Sequence, residues 1–301
     1  MKLGQIRNFI SIADCGSLRA ASRQLGLAQP ALTRSIRELE HELDVSLFER
    51  AARGMRLTSM GETFLRRARL IQAEIARSRE EIDQLKGSTQ GTVAIGLSMA
   101  AHIALLPGVL TAFQTRFPGV EVRVEEGLFP SQGRGVEEGE LDFYVGPAPG
   151  TTLPSSLGKE VLFQNERIVL CRKGHPLAHA TSLAELADAS WVGASSHTGT
   201  GVSIARAFEE LGLRPPKVTV QAPSALSIIA IASDTDMLAA LPRQWLNHPW
   251  TASALQHIAV KERLAAPDIC LIQRTGIPLT LAAEHFADLL RRAAVAHARG
   301  A

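Results

Sequence analysis

Gln29, Pro30, Thr33, Arg34 and Arg37 fall within the run AQPALTRSIRELE, residues 28–40. At 3.6 residues per turn, positions 30, 33, 34 and 37 share one helix face, and Leu32 and Leu39 lie opposite. The apolar side is core. The other side carries groups suited to a nucleic-acid duplex. The Gln29 amide matches adenine N6 and N7, and Pro30, with no N–H to leave unsatisfied, can touch a thymine methyl. Thr33 can reach a base or a phosphate, while Arg34 and Arg37, deeper along the helix, suit phosphate. Ser17 and Arg19, at the start of the preceding helical run, suit backbone anchoring. Arg53, in LFERAARGMRLTS, could enter the minor groove. Any one of these residues alone could be a solvated side chain; their convergence on one face argues for a DNA contact.

A second set of residues suits a small anion. TVAIGLSMAAH ends a strand-like run at Ser98 and Met99, just before a helical stretch, where a hydroxyl and free backbone N–H groups converge. SWVGASSHTGTG presents Ser195, Ser196, His197, Thr198, Gly199 and Thr200 in the same setting. Phe129 and Pro130 in GLFPS, with Gly146 and Pro147 in YVGPAP, would add an apolar wall. The combination fits a small aromatic or aliphatic acid bound beyond the carboxyl ends of strands. Ordinary strand-to-helix loops are also rich in Gly, Ser and Thr, so the residue types alone leave both readings open.

Enzyme chemistry finds less support. There is no GxSxG elbow and no Walker motif. His175 and His179 in HPLAH are four apart, but Pro176 begins a loop-like stretch and no HExxH glutamate accompanies them, so no metal site and no cofactor is expected.

The elements that must position these residues follow from periodicity. Ile6, Phe9, Ile10 and Ala13 mark an amphipathic helix ending at Gly16, Ser17 caps a short helix stopped by Gly26, and Pro30 stands in the first turn of a third. Three such helices form a helix-turn-helix. Short apolar segments around Gly54 suit a two-stranded wing. Ser59 and Glu62 fit a capping box opening a helix that runs to about Lys86. Along it, positions 64, 68, 71, 75, 78, 82 and 85 are Phe, Ala, Ile, Ile, Ser, Ile and Leu, a heptad seam. A solvent-facing helix needs no such seam. Phe64, Ile71, Ile75, Ile82 and Leu85 are therefore expected to join two copies, the alternative being that the stripe packs on its own domain.

After the polar hinge GSTQG, eight strand-like runs alternate with helical stretches at 106–116, 200–212, 224–233 and 279–298. That alternation predicts an α/β region with largely parallel sheets, long enough for two lobes and a cleft. The expected domains are a winged helix-turn-helix over 1–59, a linker helix and hinge over 60–90, and a regulatory domain over 91–301. Its first lobe would span about 91–163 and 267–301, its second about 164–266.

The chain has 301 residues, 46% hydrophobic and 21% charged, as in an ordinary globular protein. Its charge is uneven. Residues 1–90 hold 15 Lys+Arg against 11 Asp+Glu, and 13 of those 15 are Arg, which points the N-terminal part toward an anion. No apolar run could span a bilayer, the start shows no secretion signal, and the three cysteines form no CxxC pair, so a cytoplasmic protein without a membrane partner is expected.

The segments LRAASRQLGLAQPALTRSIRELEHEL, LFER and LTSMGE resemble the DNA-binding head of LysR-type transcriptional regulators, and the likeness extends along the chain through VAIGLS, LDFYVG and RKGHPLA. The resemblance implies a regulatory region like type 2 periplasmic binding proteins, promoter or operator DNA, and a small-molecule effector. It also implies homodimers through the linker helices that pair into homotetramers, and contact with RNA polymerase. Where the family usually has a serine, this chain has Ala28, so the side-chain cap of the third helix would be missing. A solute-binding protein without DNA, or a small-molecule enzyme, is the alternative function.

Overall fold

The computed structural model describes residues 1–51, 54–129, 131–150, 152–194, 204–222, 224–246 and 248–300. It divides into two compact units: Met1–Ser88 with Gly135–Leu141, and Thr89–Arg134 with Asp142–Ala301.

The first unit opens with helices α1 (Leu3–Cys15), α2 (Leu18–Leu25) and α3 (Gln29–Leu43). Gly16 and Gly26 end α1 and α2 in the left-handed conformation, and Ser17 caps α2 by accepting the Ala20 N–H. Phe9, Ile12, Ala21, Leu32 and Leu39 are fully enclosed where the three helices meet. Ala21 has no side chain beyond Cβ, which lets its neighbours approach closely. The wing is an antiparallel pair, β1 (Phe48–Ala51) and β2 (Gly54–Leu57). Gly54 has φ +114°, and a Cβ there would collide with the Gly16 carbonyl oxygen, so only glycine fits where the wing meets the α1–α2 turn. Met55 N–H donates to that same oxygen at 2.9 Å.

Helix α4 (Ser59–Leu85) starts one residue earlier in its capping than the sequence suggests. Thr58, not Ser59, is the N-cap: its hydroxyl oxygen accepts the Gly61 N–H at 3.0 Å and its O–H donates to the Ser46 carbonyl at 2.7 Å. Two hydroxyl residues in succession offered two registers, and the contact with Ser46 selects Thr58. The Ser59–Glu62 box is therefore not formed.

Among the described residues the second unit contains a nine-stranded mixed sheet with order β4-β3-β5-β11-β6-β9-β7-β8, and β10 also pairs with β6. One lobe holds β3 (Gln90–Leu97), β4 (Gly119–Glu126) and β5 (Phe143–Pro147), all parallel, with α5 (Met99–Arg116); α6 (Ser131–Glu138) begins in this unit, and its residues from Gly135 on group with the first. The other holds β7 (Ser190–Ala194), β8 (Lys217–Ala222), β9 (Leu238–Pro242) and β10 (Leu255–Ile258), with α7 (Ile204–Glu210), α8 (Ala225–Asp234) and α9 (Pro249–Ala254). The long strands β6 (Leu157–Arg172) and β11 (Leu264–Arg274) run antiparallel through the middle, and α10 (Leu281–Gly300) packs against the first lobe. The sheets are thus parallel within each lobe but antiparallel where the lobes join, which corrects the expectation of a largely parallel arrangement. Helix α5 begins seven residues before the expected 106, with Pro107 in its interior. The short elements α6, α9 and β10 carry too few residues to show a period.

Candidate functional site

The DNA face. Gln29, Pro30, Arg34 and Arg37 are exposed on α3 while Leu32, Ile36 and Leu39 are buried beneath them. Pro30, Thr33, Arg34 and Arg37 line one concave surface of about 520 Å³, together with Glu38 and His41, which the sequence reading did not include. The Thr33 hydroxyl donates to the Gln29 carbonyl at 3.0 Å, so its proton is engaged within the helix and its oxygen remains an acceptor. Ala28 makes no side-chain cap. Two features stand in for one: Pro30 has no N–H to satisfy, and the Ala31 N–H bonds back to the Ala28 carbonyl at 3.0 Å. Arg19 is exposed on α2. Arg53 lies outside the described residues.

Two polar contacts that no periodicity announces hold this face in place. Asn8 donates to Ser35 at 2.9 Å, tying α1 to α3. Glu40 accepts the N–H groups of Leu47 and Phe48 at 2.7 and 3.2 Å, tying α3 to the start of the wing.

The linker seam divides. Phe64 stacks edge-on against Phe9 at 4.9 Å, Ala68 is fully buried and Ile71 packs on the same cluster. Phe64 and Ile71 thus pack into the head's own core rather than standing free for a second copy, because steps of three and four serve either purpose. Ile75 is half-buried, while Ile82 and Leu85 are 52% and 71% exposed.

The cleft residues. The parallel neighbours β3 and β5 end side by side, bringing Ser98 and Met99 next to Gly146 and Pro147. Ser98 is buried and caps α5 by accepting the Ala101 N–H at 3.3 Å. Met99 is half-buried and turns toward the core of the second lobe. A Cβ on Gly146 would collide with the Tyr144 phenol oxygen, so the glycine makes room for that ring beside Ser98. Phe129 is buried, its ring 6.3 Å from that of Tyr144. Tyr144 is the member of this group that the sequence reading missed. Burial pushes its phenol well above the ordinary value, so it stays protonated. Pro130, Ser196, His197 and Thr198 lie outside the described residues, as do Ser195, Gly199 and Thr200.

His175 is structural. Its Nδ1 accepts the Leu177 N–H at 3.0 Å and its Nε2 lies 3.1 Å from the Asp236 carbonyl. No helix of the described residues is long and apolar enough to cross a membrane.

A head with one exposed, basic helix face, joined to a two-lobed α/β domain, defines a DNA-binding regulator with a ligand-receiving domain. Residues 3–62 match the family model "Bacterial regulatory helix-turn-helix protein, lysR family", and residues 86–295 match "LysR substrate binding domain". The chain belongs to the LysR family of transcriptional regulators. It is 26% identical over 246 residues to the regulator GbpR of Azospirillum brasilense, covering 81% of this chain and 72% of that one. It is 35% identical over 179 residues to the dual regulator GltC of Bacillus subtilis (strain 168), 59% of each. Full-length CbnR in complex with its target DNA shares the fold with a TM-score of 0.68 at 20% identity, covering 97% of this chain and 100% of that chain. HinK from Pseudomonas aeruginosa, a LysR regulator, superposes with a TM-score of 0.56 at 25% identity, covering 97% and 98%.

Proposed function

We propose that this regulator reads an operator duplex through Gln29, Pro30 and Thr33, with Arg34, Arg37, Ser17, Arg19 and Arg53 on the phosphates and minor groove, and that a small carboxylate effector in the cleft sets how it binds. The exposed single face of α3 carries this reading: polar and basic groups converge on it while every large apolar residue of the helix points inward. Two copies pair through the distal part of α4, where Ile82 and Leu85 stand exposed, and dimers pair into tetramers that act on RNA polymerase in the cytoplasm. The effector lies among Ser98, Met99, Phe129, Pro130, Gly146, Pro147 and the 196–198 loop, and favours one lobe arrangement over another by its differential affinity.

Selection of bound sequences from random duplexes supplies the operator for the test. Arg34→Ala should weaken binding to operator and random duplexes alike and lower the salt slope by about 1. Gln29→Ala should cost roughly 1–3 kcal/mol at particular base pairs only. Equal loss on both kinds of DNA for Gln29→Ala would sink the readout assignment. For the cleft, a carboxylate that raises the melting temperature of the wild type should do so less in Ser98→Ala and His197→Ala; equal shifts would move the effector elsewhere.

A further inference from the structure

Helix α1 buries three polar side chains, Gln5, Asn8 and Ser11, each 7% exposed. Steps of three set them down one side of the helix, beside the apolar stripe of Ile6, Phe9, Ile10 and Ala13. Each meets a polar group of another helix. Gln5 Nε2 donates to Glu38 Oε2 at 3.4 Å, Asn8 Nδ2 to Ser35 Oγ at 2.9 Å, and Ser11 Oγ to Gln24 Oε1 at 3.1 Å. The first two pairs step one turn up α1 for one turn down α3, so these helices meet antiparallel in a single register. Gln5 is itself held, its Oε1 accepting the Lys2 N–H at 2.7 Å.

An apolar seam would hold the helices at least as firmly. Buried polar pairs contribute little net stability, and replacing both partners by apolar groups is often neutral or better. Asn8 even keeps its Oδ1 buried without a hydrogen-bond partner among the described residues. What apolar contact lacks is direction. It tolerates a helix that slides or turns, whereas the Asn8–Ser35 bond weakens steeply once donor and acceptor leave alignment. Ser35 stands between Arg34 and Arg37 in α3, and Glu38 shares with both the concave surface of the DNA face. Whatever fixes Ser35 and Glu38 therefore fixes the height and rotation of that face.

We infer that Asn8 and Ser35 are positioning residues for base readout: their buried bond sets the pose of α3, and with it the discrimination between operator and other duplexes. Neither side chain needs to touch DNA. The inference rests on the reading of α3 as the base-contacting helix. Base-edge contacts depend on pose, because paired hydrogen bonds need both distance and angle. Attraction to phosphate depends on it far less, being long-ranged and independent of sequence.

The double variant Asn8→Leu, Ser35→Ala replaces both partners by apolar groups. In the full chain its melting temperature should equal or exceed that of the wild type. Its affinity for random duplexes should be unchanged, while the ratio of operator to random affinity falls roughly tenfold. Ser35→Thr keeps the hydroxyl and should keep the ratio, whereas Ser35→Ala should lower it; this pair decides if the double variant fails to fold. A wild-type ratio in the double variant and in Ser35→Ala, or equal loss on both kinds of duplex, overturns the inference. Gln29→Ala tells the two levels apart. A selective loss there leaves the reading of α3 standing when the seam fails, and no selective loss removes both.

Discussion

In the head, Gln29, Arg34 and Arg37 are exposed on α3 and the fold rests on other residues, Leu32 and Leu39 among them. In the regulatory domain, Ser98 and Phe129 are buried, and Ser98, proposed above as an effector contact, is also the N-cap of α5. On the proposed sites, the head would separate the residues that hold the fold from those that meet the partner, whereas the regulatory domain would ask single residues to do both. A duplex is a large convex partner that a protruding helix can meet with side chains already in solvent. A small ligand has to be surrounded, and in the proposed cleft the residues that would surround it are also packed against the core.

The largest expected effect tests the separation in the head. Leu39→Ala should cost about 2–5 kcal/mol of stability in a denaturant titration, since the side chain is fully buried, while Arg37→Ala should stay within about 0.5 kcal/mol. Comparable losses for the two would break the comparison. Next, Ser98→Ala should destabilise the ligand-free protein by about 1 kcal/mol through the lost cap, a cost no exposed α3 residue should show. A neutral Ser98→Ala would put the cleft in the same class as the head. Smaller still, Ala28→Ser should raise stability by no more than about 0.5 kcal/mol, below the usual gain from a new cap, because Pro30 and the Ala31–Ala28 bond leave little to satisfy.

The smallest effect lies in the regulatory domain and is read by pH. Burial holds the His297 imidazole below its ordinary value of 6.5. The unfolded chain then takes up the proton first, so stability is kept above that value and lost as pH falls below it. His297→Gln should flatten the melting temperature between neutral and mildly acidic pH; an unchanged slope would show the ring to be as free of the fold as an α3 side chain.

The same contrast explains what the sequence could reveal. The face of α3 was legible because one helix carries it within about two turns, and the end glycines and Ser17 announced themselves by type. The cap of α4 slipped by one residue because only a contact with Ser46, far along the chain, distinguishes Thr58 from Ser59. The upper seam of α4 read as a coiled coil although Phe64 and Ala68 belong to the head's core, since both uses share one spacing. Tyr144 reads as strand core until β3 and β5 are aligned and Gly146 is seen to accommodate it. The polar seam of α1 is visible only once α2 and α3 are laid against it, since Ser35 and Gln24 are what give Asn8 and Ser11 a partner.

The long strands β6 and β11 carry one more consequence, for synthesis. The first lobe's buried core draws on residues 93–163 and again on 269–294, including Ile269, Phe286 and Leu290, while the second lobe's buried cores draw on 168–264. A chain emerging from the ribosome can close the second lobe once Leu264 is out, while the first still lacks the rest of β11 and all of α10. The lobe that begins first is therefore finished last, and until then the apolar faces of β3, β5 and α5 wait uncovered, which makes that interval the one in which a nascent chain is most open to chaperones and to aggregation.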